Sequence, residues 1–244
     1  MLISAEIKNF RSFYDRTIFS METGAKLRSY GDTNIHKYNQ LKLIKSAFIF
    51  GGNANGKTNI INVFELLKAL ILRPTMSELE FLIKDTFADN SEPTHFIIKF
   101  FKNKKIFIYE LEYVKEYIIK ESLSVNSKII FSRNEDEIEL PEAIIGLKQT
   151  IRKNQLLLFF SQSNNILEAK EAFEWFAMDV IIPNVDFVHP SILQDLKQNK
   201  VLKEKVIAFL QAADFNIVEI EVRERITKLP TRFFVKLVEG EPEA

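Results

Sequence analysis

The sequence predicts an α/β fold that combines a mixed β-sheet, an antiparallel β-layer and a helical lobe. Three observations lead to this prediction. An apolar run enters a glycine-rich loop, and an amphipathic stretch follows it. Aromatic and β-branched runs separated by short polar breaks fill residues 94–133. From residue 141 to 213, apolar residues recur at three- and four-residue spacing, as in helices. Such a succession of patterns is typical of a domain in which helices cover a sheet.

The composition narrows the class of protein. With 46% hydrophobic and 27% charged residues the chain resembles a globular protein, and no apolar stretch is long enough to span a membrane. The absence of cysteine excludes disulfides, thiolate catalysis and cysteine zinc sites. The 33 basic and 33 acidic residues cancel, so no global charge favours nucleic acid, although a local basic patch remains open. Because the first residues lack a secretory signal pattern, we expect a cytoplasmic protein with no membrane partner.

Residues 51–58 carry the strongest motif in the chain, the pattern G-x-x-x-x-G-K-[ST]. After a strand and before a helix, such a loop binds nucleotide phosphates through backbone N–H groups and the positive helix N-terminus. Gly51 and Gly56 permit the backbone angles and the close approach that this requires. Lys57 is expected to reach the β- and γ-phosphates, and the Thr58 hydroxyl to bind Mg²⁺ beside water and phosphate oxygens. The predicted ligands are ATP and Mg²⁺. The alternative is a Gly/Asn-rich turn that merely precedes a helix.

Hydrophobic periodicity predicts the remaining elements. In the first third we expect strands over 2–10 and 16–21, a polar loop over 22–42, a strand over 44–50, and helices over 57–72 and 76–84. Four antiparallel strands are expected over 95–101, 106–114, 117–125 and 128–131. Helices are expected over 141–153, 165–178 and 200–213, followed by strands over 216–226 and 232–238. The predicted divisions are a phosphate-loop core with the β-meander over 1–140, a helical lobe over 141–215 and closing strands over 216–244.

Further residues accompany the loop. Lys8-Asn9-Phe10-Arg11-Ser12-Phe13 lies on the first strand and turn, Asn53 occupies the third loop position, and Asn59 directly follows Lys57-Thr58. This combination resembles the ABC-type ATPases of the SMC/RecF group. Within that group it is most similar to bacterial AAA-family ATPases of the abortive-infection (AbiL/RloA-like) phage-defence type. The resemblance has specific motifs over residues 1–72 and is softer through 156–176 and 211–236.

The resemblance implies nucleotide-binding roles that spacing alone does not assign. Arg11 would contact the nucleotide near the adenine or the phosphates; the alternative is an exposed arginine in a turn. Asn59 would belong to the same binding set as the loop. Asn53 and Asn55 are expected to shape the loop by hydrogen-bonding its own backbone.

The resemblance also implies a glutamine at the metal. Gln162 would join Thr58 there and link Mg²⁺ and the attacking water to the rest of the head. Gln155 and Gln149 are rival candidates for this role, and a surface glutamine without a function is the alternative interpretation.

Two features of the family are missing from this chain. The family's head continues with a glycine-containing signature and then an apolar strand that ends in Asp-Glu. Here no glycine occurs between Gly146 and Gly240, and no run of four apolar residues precedes Asp-Glu. We therefore expect the N-terminal part of an ATP-binding head, incomplete at its C-terminus and without catalytic residues of its own. The expected partners are the C-terminal half of the head, or a second copy that sandwiches ATP.

The resemblance implies a role for the parent protein in anti-phage defence, as an ATPase whose ATP binding or hydrolysis gates an effector nuclease or toxin. The alternative is a non-catalytic interaction module or scaffold that docks such an effector, because the motifs needed after ATP binding are absent. A small-molecule kinase is a third possibility, but the pattern over 94–133 does not look like its arginine-bearing lid. The sequence leaves the effector, the oligomeric state and nucleic-acid binding open.

Overall fold

The structure, a computed structural model, describes residues 1–24, 31–52, 56–182, 190–212 and 219–221, with the backbone alone for 190–193. It confirms an α/β fold with a large antiparallel sheet. The chain divides into two units, Met1–Ile182 and Pro183–Ala244. None of the described helices is both long and apolar enough to cross a membrane.

The described part of the first unit contains nine strands. They are β1 Leu2–Lys8, β2 Thr17–Ser20, β3 Ile35–Tyr38, β4 Leu41–Ile44, β5 Thr94–Lys102, β6 Lys105–Tyr113, β7 Ile118–Val125, β8 Lys128–Asn134 and β9 Glu137–Glu139. Seven form one sheet in the order β2-β1-β5-β6-β7-β8-β9, while β3 and β4 form a separate hairpin. The predicted β-layer from residues 2–21 and 94–133 is therefore confirmed. All strand pairs in the described residues are antiparallel, so the parallel component of the predicted mixed sheet is not found there.

The helices of the described residues lie in both units. The first contains α1 Lys57–Leu72, α2 Leu157–Ser163, α3 Leu167–Glu174, 3-10 helices at Phe87–Asp89 and Glu142–Thr150, and a π-helical turn at Trp175–Asp179; the second contains α4 Pro190–Gln198 and α5 Lys200–Ala212. The predictions for 57–72 and 200–213 are confirmed as α1 and α5. The segment predicted as a helix over 141–153 is a shorter 3-10 helix, and the one over 165–178 is divided between α3 and the π-helical turn. Neither α2 nor α4 was predicted.

One face of the sheet and the helices enclose the core. Alternate residues of β5 and β6 point into it, and the Phe100 ring stacks on Phe107 at 5.0 Å and on Trp175 at 4.1 Å between centroids. The helix α1 joins this core through buried apolar side chains such as Val63, Leu67 and Ile71. Lys68 Nζ donates to the carbonyl of Val180, 2.5 Å away, just beyond the π-helical turn. The C-terminal half of α1 is thus fixed to the core by apolar packing and a lysine contact.

A buried carboxylate holds the start of α2. Glu121, on β7, accepts hydrogen bonds from Leu157 N at 2.6 Å, Leu158 N at 2.9 Å and the Tyr109 hydroxyl at 3.0 Å. Burial raises the pKa of Glu121, while attraction to Arg133 and these hydrogen bonds oppose the rise. An acceptor at this position satisfies N–H groups that the first turn of a helix otherwise leaves unpaired.

Two expectations near the loop are wrong. The polar stretch predicted as a loop over 22–42 contains the β3–β4 hairpin, which closes through a two-residue turn with Asn39 in the left-handed region at φ 51°. The strand predicted over 44–50 ends at Ile44, and residues 46–50 have no strand partner among the described residues. Apolar composition alone does not make a strand, because the backbone also needs a neighbour for its hydrogen bonds.

The short helix predicted near 76–84 is also wrong. The backbone of this segment bonds to other parts of the fold: Leu82 N donates to Lys115 O at 2.8 Å, and Asn154 Nδ2 donates to the carbonyls of Ser77 and Glu80, both at 2.8 Å. These long-range contacts replace the i to i−4 bonds of a helix. The predicted strands over 216–226 and 232–238 lie outside the described residues, except for 219–221, which carry no strand.

Replacing Glu121 by Gln is expected to destabilise the first unit by about 1–3 kcal/mol, because an amide has one acceptor oxygen for three donors. Urea unfolding followed by tryptophan fluorescence measures the change, since Trp175 is the single tryptophan and lies in this core. The matched control is Glu112→Gln on neighbouring β6, since the Glu112 side chain has no hydrogen bond or ion pair with any described residue. Equal midpoints for the two variants would contradict the anchoring role of Glu121.

Candidate functional site

The phosphate-loop motif lies at the start of α1. Gly56 precedes the first helical residue, Lys57, and adopts the left-handed conformation at φ 75° and ψ 10°. No side chain of a described residue caps this end of the helix, and its first turn contains no acidic residue. The Thr58 side chain is exposed, and its hydroxyl has no hydrogen bond within the described part of the chain. Among the described residues, the first N–H groups and the positive dipole end of this 16-residue helix thus have no side-chain acceptor.

The Asn9–Tyr14 turn, which contains the second motif, lies directly against this helix start. The Ser12 hydroxyl accepts a hydrogen bond from Asn59 Nδ2 at 2.8 Å. It also lies so close to Gly56 that a Cβ on that glycine would overlap the Ser12 Oγ atom, with Ser12 Cβ at 3.4 Å and Phe13 Cζ at 3.5 Å. Gly56 is therefore required by its backbone angle and by this contact. The structure brings together the two segments that carry the resemblance.

Arg11 lies at the same junction. Its Nε donates to Asp85 Oδ2 at 2.5 Å, and its Nη1 lies against the side-chain amide of Asn62 on α1, whose oxygen accepts from Nη1 when the amide is flipped. The guanidinium also lies over the Phe10 ring at 5.5 Å. Arg11 and Asp85 are both more than a third exposed, and surface pairs of this kind contribute little stability. Arg11 is thus held beside the first turns of α1 by contacts that another anion can replace.

The Lys57 ammonium bonds to its own loop. It donates to the carbonyls of Gly51 at 2.9 Å and Gly52 at 2.6 Å. A bound phosphate would compete with these two carbonyls for the ammonium. Asn53 and Asn55 lie outside the described residues.

The proposed metal residues Thr58 and Gln162 lie on different helices, α1 and α2. Gln162 lies on α2 and its side-chain amide donates to the neighbouring Ser163 hydroxyl at 2.9 Å, whereas Thr58 lies at the start of α1. The rival Gln155 binds the Arg152 amide through its side chain, at 3.4 Å, and Gln149 is exposed. The described residues contain no group of three or more His, Asp or Glu side chains that could hold a metal ion by themselves.

The chain that leads into the loop is exposed. Phe48 and Phe50 are 82% and 89% exposed, and their rings face each other at 6.3 Å. No described strand pairs with this segment. A strand that leads into a phosphate loop normally lies inside a sheet. Of the predicted strand-loop-helix unit, the described residues therefore contain the helix but not the strand.

A separate charged cluster lies on the face of the sheet opposite the core. Glu110 accepts hydrogen bonds from His95 Nε2 at 3.0 Å and Lys120 Nζ at 2.9 Å. The His95 hydrogen bond, together with Lys120 and against the effect of burial, lowers the pKa of Glu110 to about 2. Because its three residues belong to adjacent strands, the cluster ties β5, β6 and β7 together.

Three residues of the site, Ser12, Asp85 and Asn62, were not predicted from the sequence. Ser12 lies within the motif over residues 8–13, and its place in a turn is the signal that could have indicated it. No local sequence pattern indicates Asp85 or Asn62, because each comes close to Arg11 only when the chain is folded. No family model and no curated protein matches this sequence. The resemblance to ABC-type ATPases therefore stays a prediction.

Replacing Gly56 by Ala is expected to destabilise the first unit by about 1–3 kcal/mol, through left-handed strain and the overlap with Ser12. Adding Ser12→Ala should recover only part of this loss, because the strain at Gly56 remains. Urea unfolding of the single and double variants separates the two contributions.

The matched control for this experiment is Gly146→Ala, where an added Cβ meets no atom within 4 Å and φ is not positive. This control should leave stability unchanged or slightly increased. A loss for Gly146→Ala as large as that for Gly56→Ala would contradict the close contact between Gly56 and Ser12.

Proposed function

We propose that this chain is the ATP-binding portion of an ABC/SMC-like ATPase. The loop over 51–58 and the start of α1 hold the triphosphate, and Thr58 is a ligand of Mg²⁺. The observation that carries the proposal is the uncapped N-terminus of α1, which begins with Lys57 and Thr58 behind a left-handed glycine. Free N–H groups, a positive dipole end and a lysine at one point favour a multiply charged anion such as a triphosphate.

The position of Arg11 supports the same proposal. Its guanidinium contacts Asn62, on the second turn of α1, and is otherwise held by an exposed ion pair to Asp85. A nucleotide phosphate that replaces Asp85 keeps the charge of Arg11 compensated. In the proposed complex Arg11 thus adds a second cation to Lys57.

The exposed segment before the loop supports a larger head. Phe48, Ile49 and Phe50 are exposed and have no strand partner among the described residues. In the proposed function further strands cover them, and these come from the C-terminal half of the head or from a second copy. In this proposal Gln162 approaches Mg²⁺ only when the further strands complete the head. The defence role, the gated effector and a cytoplasmic location rest on the sequence and its resemblance alone.

A second candidate function is an interaction module that docks a nuclease or toxin. The segment 76–84 favours it, because Leu79 and Phe81 are 90% and 60% exposed although the backbone around them is fixed by Asn154 and Lys115. Apolar side chains displayed on an anchored segment are typical of protein contacts.

Replacing Lys57 by Ala is expected to lower the affinity for ATP·Mg²⁺ by at least about tenfold, because a charge-assisted bond to phosphate is lost. Isothermal calorimetry measures the change. The matched control is Lys42→Ala, an exposed lysine on β4 whose ammonium has no partner among the described residues. Unchanged affinity in Lys57→Ala would reject the nucleotide site.

The purified chain by itself is expected not to hydrolyse ATP at an appreciable rate. ABC-type hydrolysis needs a water-positioning carboxylate and a glycine-containing signature, and residues 147–239 contain no glycine. Loss of such preorganised groups costs factors of about 10²–10³ each. Phosphate release by the chain is measured with and without a C-terminal partner chain. The rate measured for Lys57→Ala is subtracted as the background. Robust turnover by the chain alone that depends on Lys57 would show that the proposed class is wrong.

A further inference from the structure

A cavity of about 600 Å³ lies in the first unit among residues that do not belong to the phosphate loop. The start of β7, the turn between β8 and β9, and the end of the 3-10 helix Glu142–Thr150 surround it. Its apolar wall includes Ile118, Ile138 and Ile151. The volume is in the range of small-molecule sites, which combine apolar walls with a few polar groups.

More of the charged side chains around the cavity are positive than negative. Four are cationic and two are acidic: Arg133, Lys148, Arg152 and Lys153 against Glu135 and Asp136. Lys153 pairs with Asp136 at 3.2 Å. The other three cations have no carboxylate within ion-pair distance among the described residues. The cavity is therefore lined by more cationic than acidic side chains, and three of its cations have no ion-pair contact with a described residue.

Arg133 contributes most to this imbalance, because its side chain is buried, with 2% of the residue exposed. Its Nη1 donates to Lys153 O and its Nη2 to Gln155 O, both at 3.1 Å, but its Nε has no acceptor. Burial lowers the pKa of Arg133, and Glu121 attracts the guanidinium without an ion-pair contact. A buried donor without an acceptor, or a buried charge without a partner, is unfavourable.

Arg152 repeats the pattern. Its Nη2 donates to the Thr75 carbonyl at 2.7 Å, while its Nε is buried without an acceptor. The Lys148 ammonium has no polar partner among the described residues, and the residue is partly exposed beside the cavity. Two guanidinium groups with an unused donor and a free ammonium thus line one cavity together with isoleucine side chains.

We propose that this cavity binds a small organic anion. Its carboxylate or phosphate group compensates the three unpaired cations, and its apolar part covers the isoleucine side chains. Binding here is separate from nucleotide binding at the loop, because the two sites share no residue. Charge-assisted hydrogen bonds supply the selectivity for an acid over a neutral molecule of the same shape.

The test is an NMR titration of the chain labelled at its isoleucine methyl groups. It uses the Lys57→Ala variant, so that binding at the loop does not interfere. Phenyl phosphate and benzoate are the probes, and phenol is the neutral control. We expect saturable shifts at Ile118, Ile138 and Ile151 with one or both acids and weaker binding of phenol. If only one acid saturates, that result identifies the acidic group.

The variant Lys148→Glu tests the role of charge without removing a structural contact. We expect it to weaken binding by roughly tenfold or more. The matched control, Lys128→Glu, makes the same charge change at an exposed lysine that does not line the cavity, and should bind like the parent. The proposal is overturned by an absence of saturable shifts, by equal binding of phenol, by equal affinity of Lys148→Glu, or by shifts confined to Ile60 and Ile61 at the loop helix.

Discussion

The buried side-chain amide of Asn9 is the contact on which the candidate site depends. It donates to Asn90 Oδ1 and Glu92 O, both at 2.9 Å, and its own oxygen accepts from Asn90 Nδ2 at 2.9 Å. Asn9 is fully buried and has φ 50°, so it ends β1 and turns the chain. These bonds fix the turn to the residues that lead into β5. The position of Ser12 against Gly56 then follows from the sheet, not from the loop itself.

Buried polar groups perform a similar task farther along the sheet, at β7 and β8. Glu121 and Arg133 face each other across β7 and β8, and both bond to the backbone between residues 152 and 158. Because the acceptors and donors there are main-chain groups, they specify one position for α2 that apolar packing alone would leave variable. Glu121 is fully satisfied in this arrangement. Arg133 is not, and its unused Nε is one of the features that distinguish the neighbouring cavity.

The sequence predicted those parts whose pattern is local. The meander over 94–133 and α1 followed from period-two alternation and from the motif, and the structure has both. The helix expected near 76–84 failed because Asn154 and Lys115, far along the chain, bind that backbone. The prediction of a strand over 44–50 is wrong because no described strand pairs with residues 46–50. For the site, the loop motif predicted Gly56 and Lys57 and the resemblance implied Arg11, but the Asp85 contact depends on tertiary structure that no local pattern encodes.

The loop and the segment before it are coupled in the proposed function. In the described state Lys57 bonds to the carbonyls of Gly51 and Gly52, whereas a phosphate is held by backbone N–H groups and by the lysine itself. In the proposed function, nucleotide binding requires Lys57 to leave these carbonyls, and fixing the backbone of a residue costs about 1–2 kcal/mol of conformational entropy. Strands that pair with residues 46–50 order this approach in advance and so raise the affinity for nucleotide. By linkage, nucleotide raises the affinity for the strands by the same factor. In this proposal ATP and the remainder of the head are cooperative ligands of one exposed segment, which gives a physical reason for its exposed phenylalanines.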